Sequence, residues 1–158
     1  RFRPVLVISP DVMFPVLFSA CLLVALTMAV HAIGLGGLLR SLMKPVARPP
    51  VGFWSNTWLL IRVMWWLTLI HLISISIWGV FYFWQDCLPD AESAFYFSGV
   101  TYTTVGYGDL VLPKPWRMPG AVEGLTGILM CGLSTGLFFA VVTRIYSSRV
   151  PDKYKINP

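Results

Sequence analysis

The feature that most limits what this chain can fold into is a set of three long apolar stretches. The first two, 14–39 and 63–85, contain no formally charged residue, and the third, from Met118 to about Ile145, has Glu123 near its start. A helix that spans a bilayer needs about 20 such residues. The chain is also 56% hydrophobic with a mean hydropathy of +0.71, which is too apolar for an ordinary soluble domain. We therefore expect an all-α membrane protein with three transmembrane helices.

The segments around these stretches are polar, basic or rich in proline. The first stretch is too long for the apolar region of a secretory signal, so 14–39 is predicted to be a retained helix. Residues 40–57 form a basic connector whose prolines exclude a continuous helix. A lead, 1–13, precedes the first helix, and a tail, 148–158, which is too short for a domain, follows the last.

The positions of the basic residues predict the orientation. With the N-terminus outside, eight lysines and arginines lie on the inner side and four on the outer side. Positive charge is usually in excess on the cytoplasmic side. These residues lie in loops and tails between apolar stretches, so we do not expect nucleic-acid binding. Cys21, Cys87 and Cys131 lack a metal-binding spacing, and we see no catalytic constellation, so we do not expect an enzyme.

A short helix is predicted between the second and third apolar stretches. Asp90 can cap a helix that starts at Ala91, and Glu92 in its first turn complements the helix dipole. This helix would run to about Tyr102 and measure roughly 18 Å. The hydrocarbon core is about 30 Å thick, so the helix cannot cross it and should enter and return.

The residues that follow, 103–109, read Thr-Thr-Val-Gly-Tyr-Gly-Asp, with Gly106 and Gly108 at alternate positions. Consecutive carbonyl oxygens face one way only where alternate residues adopt dihedrals of opposite sign, and glycine accepts φ > 0 most readily. Such oxygens, with the Thr104 hydroxyl, can replace the hydration shell of a cation. That transfer otherwise costs on the order of 20 kcal/mol in a low-dielectric medium. The alternative is an ordinary glycine-rich turn.

Several segments resemble the pore module of tetrameric potassium channels: Phe-Tyr-Phe-Ser at 95–98, the loop 103–109, and 123–137. Residues 104–108 read TVGYG, which is the filter loop of those channels. The helix 14–39 resembles the extra leading helix of some small bacterial members. The resemblance divides 58–147 into an outer helix (58–85), a pore helix (90–102), a filter (103–109) and an inner helix (118–146).

This resemblance implies a homotetramer in a bacterial inner membrane, surrounded by lipid, with potassium as the transported ion and no cofactor. The ion-binding residues would be Thr104, Val105, Gly106, Tyr107 and Gly108. The residues expected to support the filter are Thr103, Asp109, Tyr96, Phe97 and Glu123, and the aromatic ones would form a cuff with Phe95 around Tyr107. The candidates for a cavity or gate are Gly132, Thr135, Gly136, Phe138, Phe139 and Ala140, with Ser134 as a further cavity residue.

Two acidic residues near the loop have alternative roles. Asp109 either concentrates cations or braces the loop through a hydrogen bond from Tyr96. Glu123 is an expensive charge inside a span, so it needs a partner or water, and Arg117 is a candidate. A bracing contact is favoured over ion binding for Glu123. Val100 stands where some relatives carry a carboxyl, so a carboxyl–aspartate pair is not expected.

The remaining residues of note have structural alternatives. His31 and His71 are expected to form interhelical hydrogen bonds rather than to act as a sensor or proton relay. The glycines at 34, 36 and 37 either permit close helix contact or mark a helix end, and those recurring from Gly120 to Gly136 permit close crossing. For Phe138 and for Phe139, the two alternatives are a hydrophobic gate and simple packing. No span carries an arginine ladder, so we expect no voltage sensor of the usual kind.

Two other functions remain open from the sequence. The chain could form a weakly selective monovalent cation channel, or a non-conducting membrane scaffold that keeps the fold. Gly106 and Gly108 argue against a scaffold, because a scaffold has no need of aligned carbonyl groups.

Overall fold

The computed structural model describes residues 10–43 and 52–147. The helices are α1 (Pro10–Met43), α2 (Phe53–Trp84), α3 (Ala91–Tyr102) and α4 (Arg117–Ser147), and a 3-10 turn (Lys114–Trp116) precedes α4. Helices make up 86% of the described residues, which confirms the predicted all-α class. Within the described ranges, three helical segments, Met13–Met43, Phe53–Trp84 and Lys114–Ile145, are long and apolar enough to cross a membrane.

The long helices extend past the apolar stretches that predicted them. Helix α1 continues through Arg40 to Met43, and α2 begins at Phe53 rather than near Trp58. A long charged side chain can reach polar surroundings from a helix end, so a charge does not stop a helix. The prolines of the connector lie at 44–51, outside the described residues, as do 1–9 and 148–158.

Helices α1 and α2 run antiparallel in close contact. A Cβ on Gly34 would lie 2.5 Å from Cδ1 of Ile70, so only glycine permits this approach without a shift. The Trp66 indole donates a hydrogen bond from Nε1 to the Gly34 carbonyl oxygen at 2.9 Å. Gly34 therefore serves helix contact and does not mark a helix end. Gly36 and Gly37 face open space.

Buried apolar residues form two cores at opposite ends of the helices. The loop-side core consists of Leu23, Trp78, Phe81, Tyr82, Cys87, Leu88, Ala94, Phe97 and Leu112. The connector-side core consists of Leu35, Leu38, Val63, Leu67, Ile70 and Val141. Helix α1 contributes to both, so it packs along the length of the other helices.

Helix α3 is held against α2 and α4 by contacts at glycines. A Cβ on Gly79 of α2 would lie 3.2 Å from Cα of Phe95. A Cβ on Gly127 of α4 would overlap the carbonyl oxygen of Tyr102, the last residue of α3. The close crossing predicted for the α4 glycines is therefore present at Gly127, and it lies at the last residue of α3.

Candidate functional site

The site begins with α3, which is too short to cross a bilayer. Its first turn is capped as predicted, because Asp90 Oδ1 accepts a hydrogen bond from the Ser93 amide at 2.7 Å. Twelve residues make a helix of about 18 Å. At the other end, the Thr103 hydroxyl donates to the Gly99 carbonyl at 2.7 Å. The remaining carbonyl dipoles at this end carry a partial negative charge that faces the loop.

The backbone of the loop 103–109 alternates in handedness. Thr104, Gly106 and Gly108 have φ of 62°, 51° and 77°, whereas Val105 and Tyr107 do not have positive φ. This alternation is what a row of carbonyl groups facing one way requires. The two glycines were predicted from the sequence. Thr104 was not, although the two-residue period read back from Gly108 points to it.

The side chains of this loop are exposed in a single chain. Val105 is 52% exposed and Tyr107 is 72% exposed, and a Cβ built on Gly106 or Gly108 would meet no neighbour. The cuff that Phe95, Tyr96 and Phe97 are expected to form around Tyr107 stays a prediction. Phe97 is buried in the loop-side core, where its ring lies 5.4 Å from that of Tyr82. One chain therefore leaves the loop without a packed surround.

Asp109, at the end of the loop, is braced by Tyr96 of α3. The Tyr96 hydroxyl donates to Asp109 Oδ2 at 2.8 Å, and Oδ1 accepts from the Leu110 amide at 3.1 Å. Of the two roles considered for Asp109, bracing the loop is the one for which the structure shows a hydrogen bond. The hydrogen bond to Asp109 raises the pKa of the Tyr96 phenol, so the brace is complete below the ordinary tyrosine pKa and is lost as pH rises through the raised value.

Behind the loop, Glu123 of α4 is fully buried. Its Oε2 accepts from the Tyr82 hydroxyl at 2.9 Å and its Oε1 from the Ser98 hydroxyl at 2.5 Å. We call Glu123, Tyr82 and Ser98 the Glu123 network. The prediction that Arg117 is the partner of Glu123 is wrong, because Arg117 Nε donates to the Leu112 carbonyl instead. The network joins α2, α3 and α4, so bracing is the role that the contacts give to Glu123.

The hydrogen bonds of Ser98 bear on whether the Glu123 carboxyl carries a proton. The Ser98 hydroxyl is also 2.8 Å from the carbonyl oxygen of Ile75. A serine hydroxyl has one proton and cannot donate to both acceptors at once. A protonated Glu123 carboxyl would supply the second proton and satisfy every contact.

A second polar group lies at the C-terminal end of α3. His71 Nδ1 is 3.2 Å from the Tyr102 hydroxyl, and its Nε2 is 3.1 Å from Ser134 Oγ. His31 of α1 joins them, with Nδ1 3.3 Å from Ser74 Oγ and its ring 4.8 Å from that of His71. We call these five residues the histidine network. The interhelical hydrogen bonds predicted for both histidines are therefore present.

The position of Ser134 in the histidine network corrects its predicted role as a cavity residue. Ser134 is only 5% exposed and points to His71, so it does not line an open face of α4. Sequence reasoning also missed Tyr102, because nothing in its neighbourhood distinguishes it from other aromatic residues of α3. The sequence did offer one signal of a polar network here. His71 and Ser74 are both polar and lie three residues apart within an apolar stretch.

The other cavity and gate candidates divide between two faces of α4. Phe138 packs partly buried against the connector-side core, whereas Phe139 is 70% exposed. The remaining candidates share the exposed face with Phe139: they are Gly132, Thr135, Gly136 and Ala140. Their spacing of three and four residues forms one stripe of small and polar side chains that the chain's own core does not cover.

Comparison with known protein families gives a match that includes α3 and the loop. Residues 70–144 match a family model described as ion channel, which covers just under half of the chain. The matched residues run from the middle of α2 through α3 and the loop into α4, so the match supports an ion-channel pore module there. Together with the three spans, it supports a multi-pass membrane protein. The searches of curated proteins and of solved structures found no match.

Proposed function

We propose that this chain is one subunit of a potassium-selective channel whose filter is the loop 103–109. The observation that carries the proposal is the alternating handedness at Thr104, Gly106 and Gly108. A loop of ordinary turn type has no need of three left-handed residues at every second position. Backbone carbonyl oxygens are hard ligands, which suit an alkali cation and can offset its loss of water.

The surroundings of the loop favour conduction over a purely structural role. Helix α3 ends at the loop, so its dipole favours a cation there. Non-helical backbone at membrane depth is tolerated only within protein or along a water-filled path. The match to an ion channel family and the TVGYG resemblance both support the same assignment.

The filter would be completed by four copies of the chain. One chain supplies a single loop, whose side chains are exposed, and a cation site of this kind needs oxygens from several directions. The exposed stripe of α4 would line the cavity below. Native mass spectrometry of the purified protein should give a tetramer, and a species no larger than a dimer would contradict the four-fold pore.

The proposed orientation has the N-terminus outside and the filter opening outward, in a bacterial inner membrane. It rests on the excess of basic residues at the connector side. A cysteine at the exposed Lys114, in a chain with its native cysteines replaced by serine, should react with an impermeant maleimide from outside the cell. Labelling from the cytoplasmic side alone would reverse the orientation.

The test of function is the reversal potential of purified protein in planar bilayers with potassium on one side and sodium on the other. We expect a potential near that of a potassium electrode. Gly106→Ala should abolish the current, because a Cβ there meets no neighbour in the chain and acts only through the left-handed backbone. Gly36→Ala, which also faces open space but lies within a helix, is the matched control.

The alternatives predict different results in the same experiment. Near-equal permeability to potassium and sodium would favour a weakly selective channel. Equal leak from the wild type and Gly106→Ala would reject conduction through this loop and favour a scaffold.

A further inference from the structure

We propose that His71 is a positioning residue for the inner end of the filter loop, and that α1 sets its orientation through His31. The inference rests on the proposed function and assigns a role to two residues that conduction itself does not use. It starts from the contacts of Tyr102, the residue at which α3 ends.

Tyr102 is fixed at both of its ends. Its carbonyl oxygen lies so close to Gly127 of α4 that a Cβ there would overlap it. Its hydroxyl reaches His71 of α2 at 3.2 Å. The loop begins one residue later, so a tilt of Tyr102 would move Thr103 and Thr104, whose oxygens form the inner end of the filter.

His71 connects Tyr102 to α4. A neutral imidazole has one donor nitrogen and one acceptor nitrogen, and both nitrogens of His71 have a partner, Tyr102 and Ser134. Each partner is a hydroxyl, which can donate or accept. The ring can therefore hold both hydroxyl groups in either tautomer, provided that its plane keeps its present orientation.

His31 borders the ring of His71 from α1. The Ser74 hydroxyl lies 3.1 Å from the Ile70 carbonyl oxygen and 3.3 Å from His31 Nδ1, so it can donate to the carbonyl and accept from a protonated Nδ1. His31 is fully buried, and its Nε2 has no partner among the described residues. An unsatisfied buried nitrogen is a cost to the fold.

That cost needs a reason, and the position of His31 offers one. Its ring lies 4.8 Å from that of His71 at an interplanar angle of 60°. It closes the side of His71 that faces α1, and its Nδ1 contacts the Ser74 hydroxyl of α2, which an apolar residue could not bind. The path from α1 to the filter thus runs through His31, His71 and Tyr102.

The test uses full-length protein reconstituted in lipid vesicles, with two measurements on each variant. The first is the ratio of potassium to sodium permeability from reversal potentials. The second is the ¹⁵N chemical shift of the His71 ring by solid-state NMR, which reports its hydrogen bonds. Tyr102→Phe removes one oxygen, and Ser134→Ala removes the other partner of His71. Ser76→Ala is the matched control, since Ser76 bonds only within its own helix.

We expect Tyr102→Phe to lower the permeability ratio by about two- to tenfold, the range that corresponds to one hydrogen bond. Ser134→Ala and His31→Phe should lower it by less, and all three should shift the His71 signals. His71→Gln, which keeps a donor and an acceptor, should retain more selectivity than His71→Phe. Ser76→Ala should change neither measurement.

The outcomes separate this inference from the proposed function. A wild type without potassium selectivity overturns both. A selective wild type whose permeability ratio is unchanged in Tyr102→Phe overturns only the role of His71, and a His71 signal unmoved in His31→Phe overturns only the role of α1. If His71→Phe does not assemble, the Tyr102→Phe result still decides.

Discussion

Two polar networks hold α3 in place, and they differ in which helices they join. The Glu123 network joins α2, α3 and α4, and each of its side chains has a partner. The histidine network joins all four helices and leaves His31 Nε2 unsatisfied. One network is therefore complete within the helices around the loop, whereas the other depends on an additional helix.

The family match follows the same division. All of the Glu123 network lies within residues 70–144, whereas His31 and Gly34 lie outside them. The loop-side half of the site is thus contained in the matched module. The histidine network, at the C-terminal end of α3, is where α1 makes polar contact with the module. Helix α1 is thus joined to the matched module by a hydrogen bond between His31 and Ser74 as well as by apolar packing.

Gly127→Ala should have the largest effect, because it affects the point where α3 meets α4. The added Cβ would overlap backbone atoms of Tyr102, which cannot rotate away as a side chain can. Overpacking usually costs about 1–3 kcal/mol, and we expect at least the upper end here. Thermal unfolding in detergent measures it, with Gly132→Ala, where a Cβ meets nothing, as the control. Equal melting temperatures would refute the contact.

Glu123→Ala should be next, since it leaves two buried hydroxyl groups, those of Tyr82 and Ser98, without their partner. We expect a loss of about 2–3 kcal/mol in the free energy of unfolding. Glu123→Gln should cost much less, because its amide can donate to Ser98 and accept from Tyr82, as a protonated carboxyl would. If Glu123→Gln is as damaging as Glu123→Ala, the carboxyl is ionised and the proton count given above is incorrect.

Gly34→Ala tests the other side of the comparison, where α1 meets α2. The added Cβ would press on the end of the Ile70 side chain, which can rotate. We therefore expect a loss of about 1 kcal/mol in the free energy of unfolding, measured by thermal unfolding in detergent. Gly36→Ala faces open space and is the control. The Glu123 network should keep its contacts in both variants. Loss of the wild-type current in Gly34→Ala with an unchanged melting temperature would show that α1 acts on the proposed filter more than on stability.

The smallest expected effect on the fold is that of labelling Cys87, whose reactivity reports how well the loop-side core excludes water. Burial, with a smaller contribution from the charge of Asp86, raises the pKa of the Cys87 thiol to about 11. Because the thiolate is the reactive form, maleimide labelling at pH 8 should be about a hundredfold slower than for an ordinary thiol and should rise with pH towards that value. A cysteine at exposed Lys114 in a Cys87→Ser chain is the control. Equal rates would mean that water reaches this core.

The short helix and the loop could be predicted from the sequence because their signals are local. Asp90 caps α3 through a contact only three residues away, and the glycine period of the loop reads directly as alternating backbone. The ends of α1 and α2 were less predictable. Counting uncharged residues stops at Arg40 or Arg62, although a helix passes through both.

The partners of buried polar groups could not be predicted, because they depend on how each helix is rotated. Glu123 was expected to need a partner, but Tyr82 and Ser98 are far from it in sequence and Arg117 is close. Ser134 and Thr135 are neighbours that point about 100° apart on a helix. Only the three-dimensional packing decides that Ser134 meets His71 and Thr135 is exposed.

The hydrogen bond from the Trp66 indole to the Gly34 carbonyl makes one tryptophan sensitive to the docking of α1. The indole is 44% exposed, so it lies over the helix pair rather than inside it. A fluorine atom on this ring would act as a reporter: its resonance should shift when α1 separates from α2. With a Trp66→Phe spectrum to assign the signal, the motion of the first helix could be followed in the intact protein.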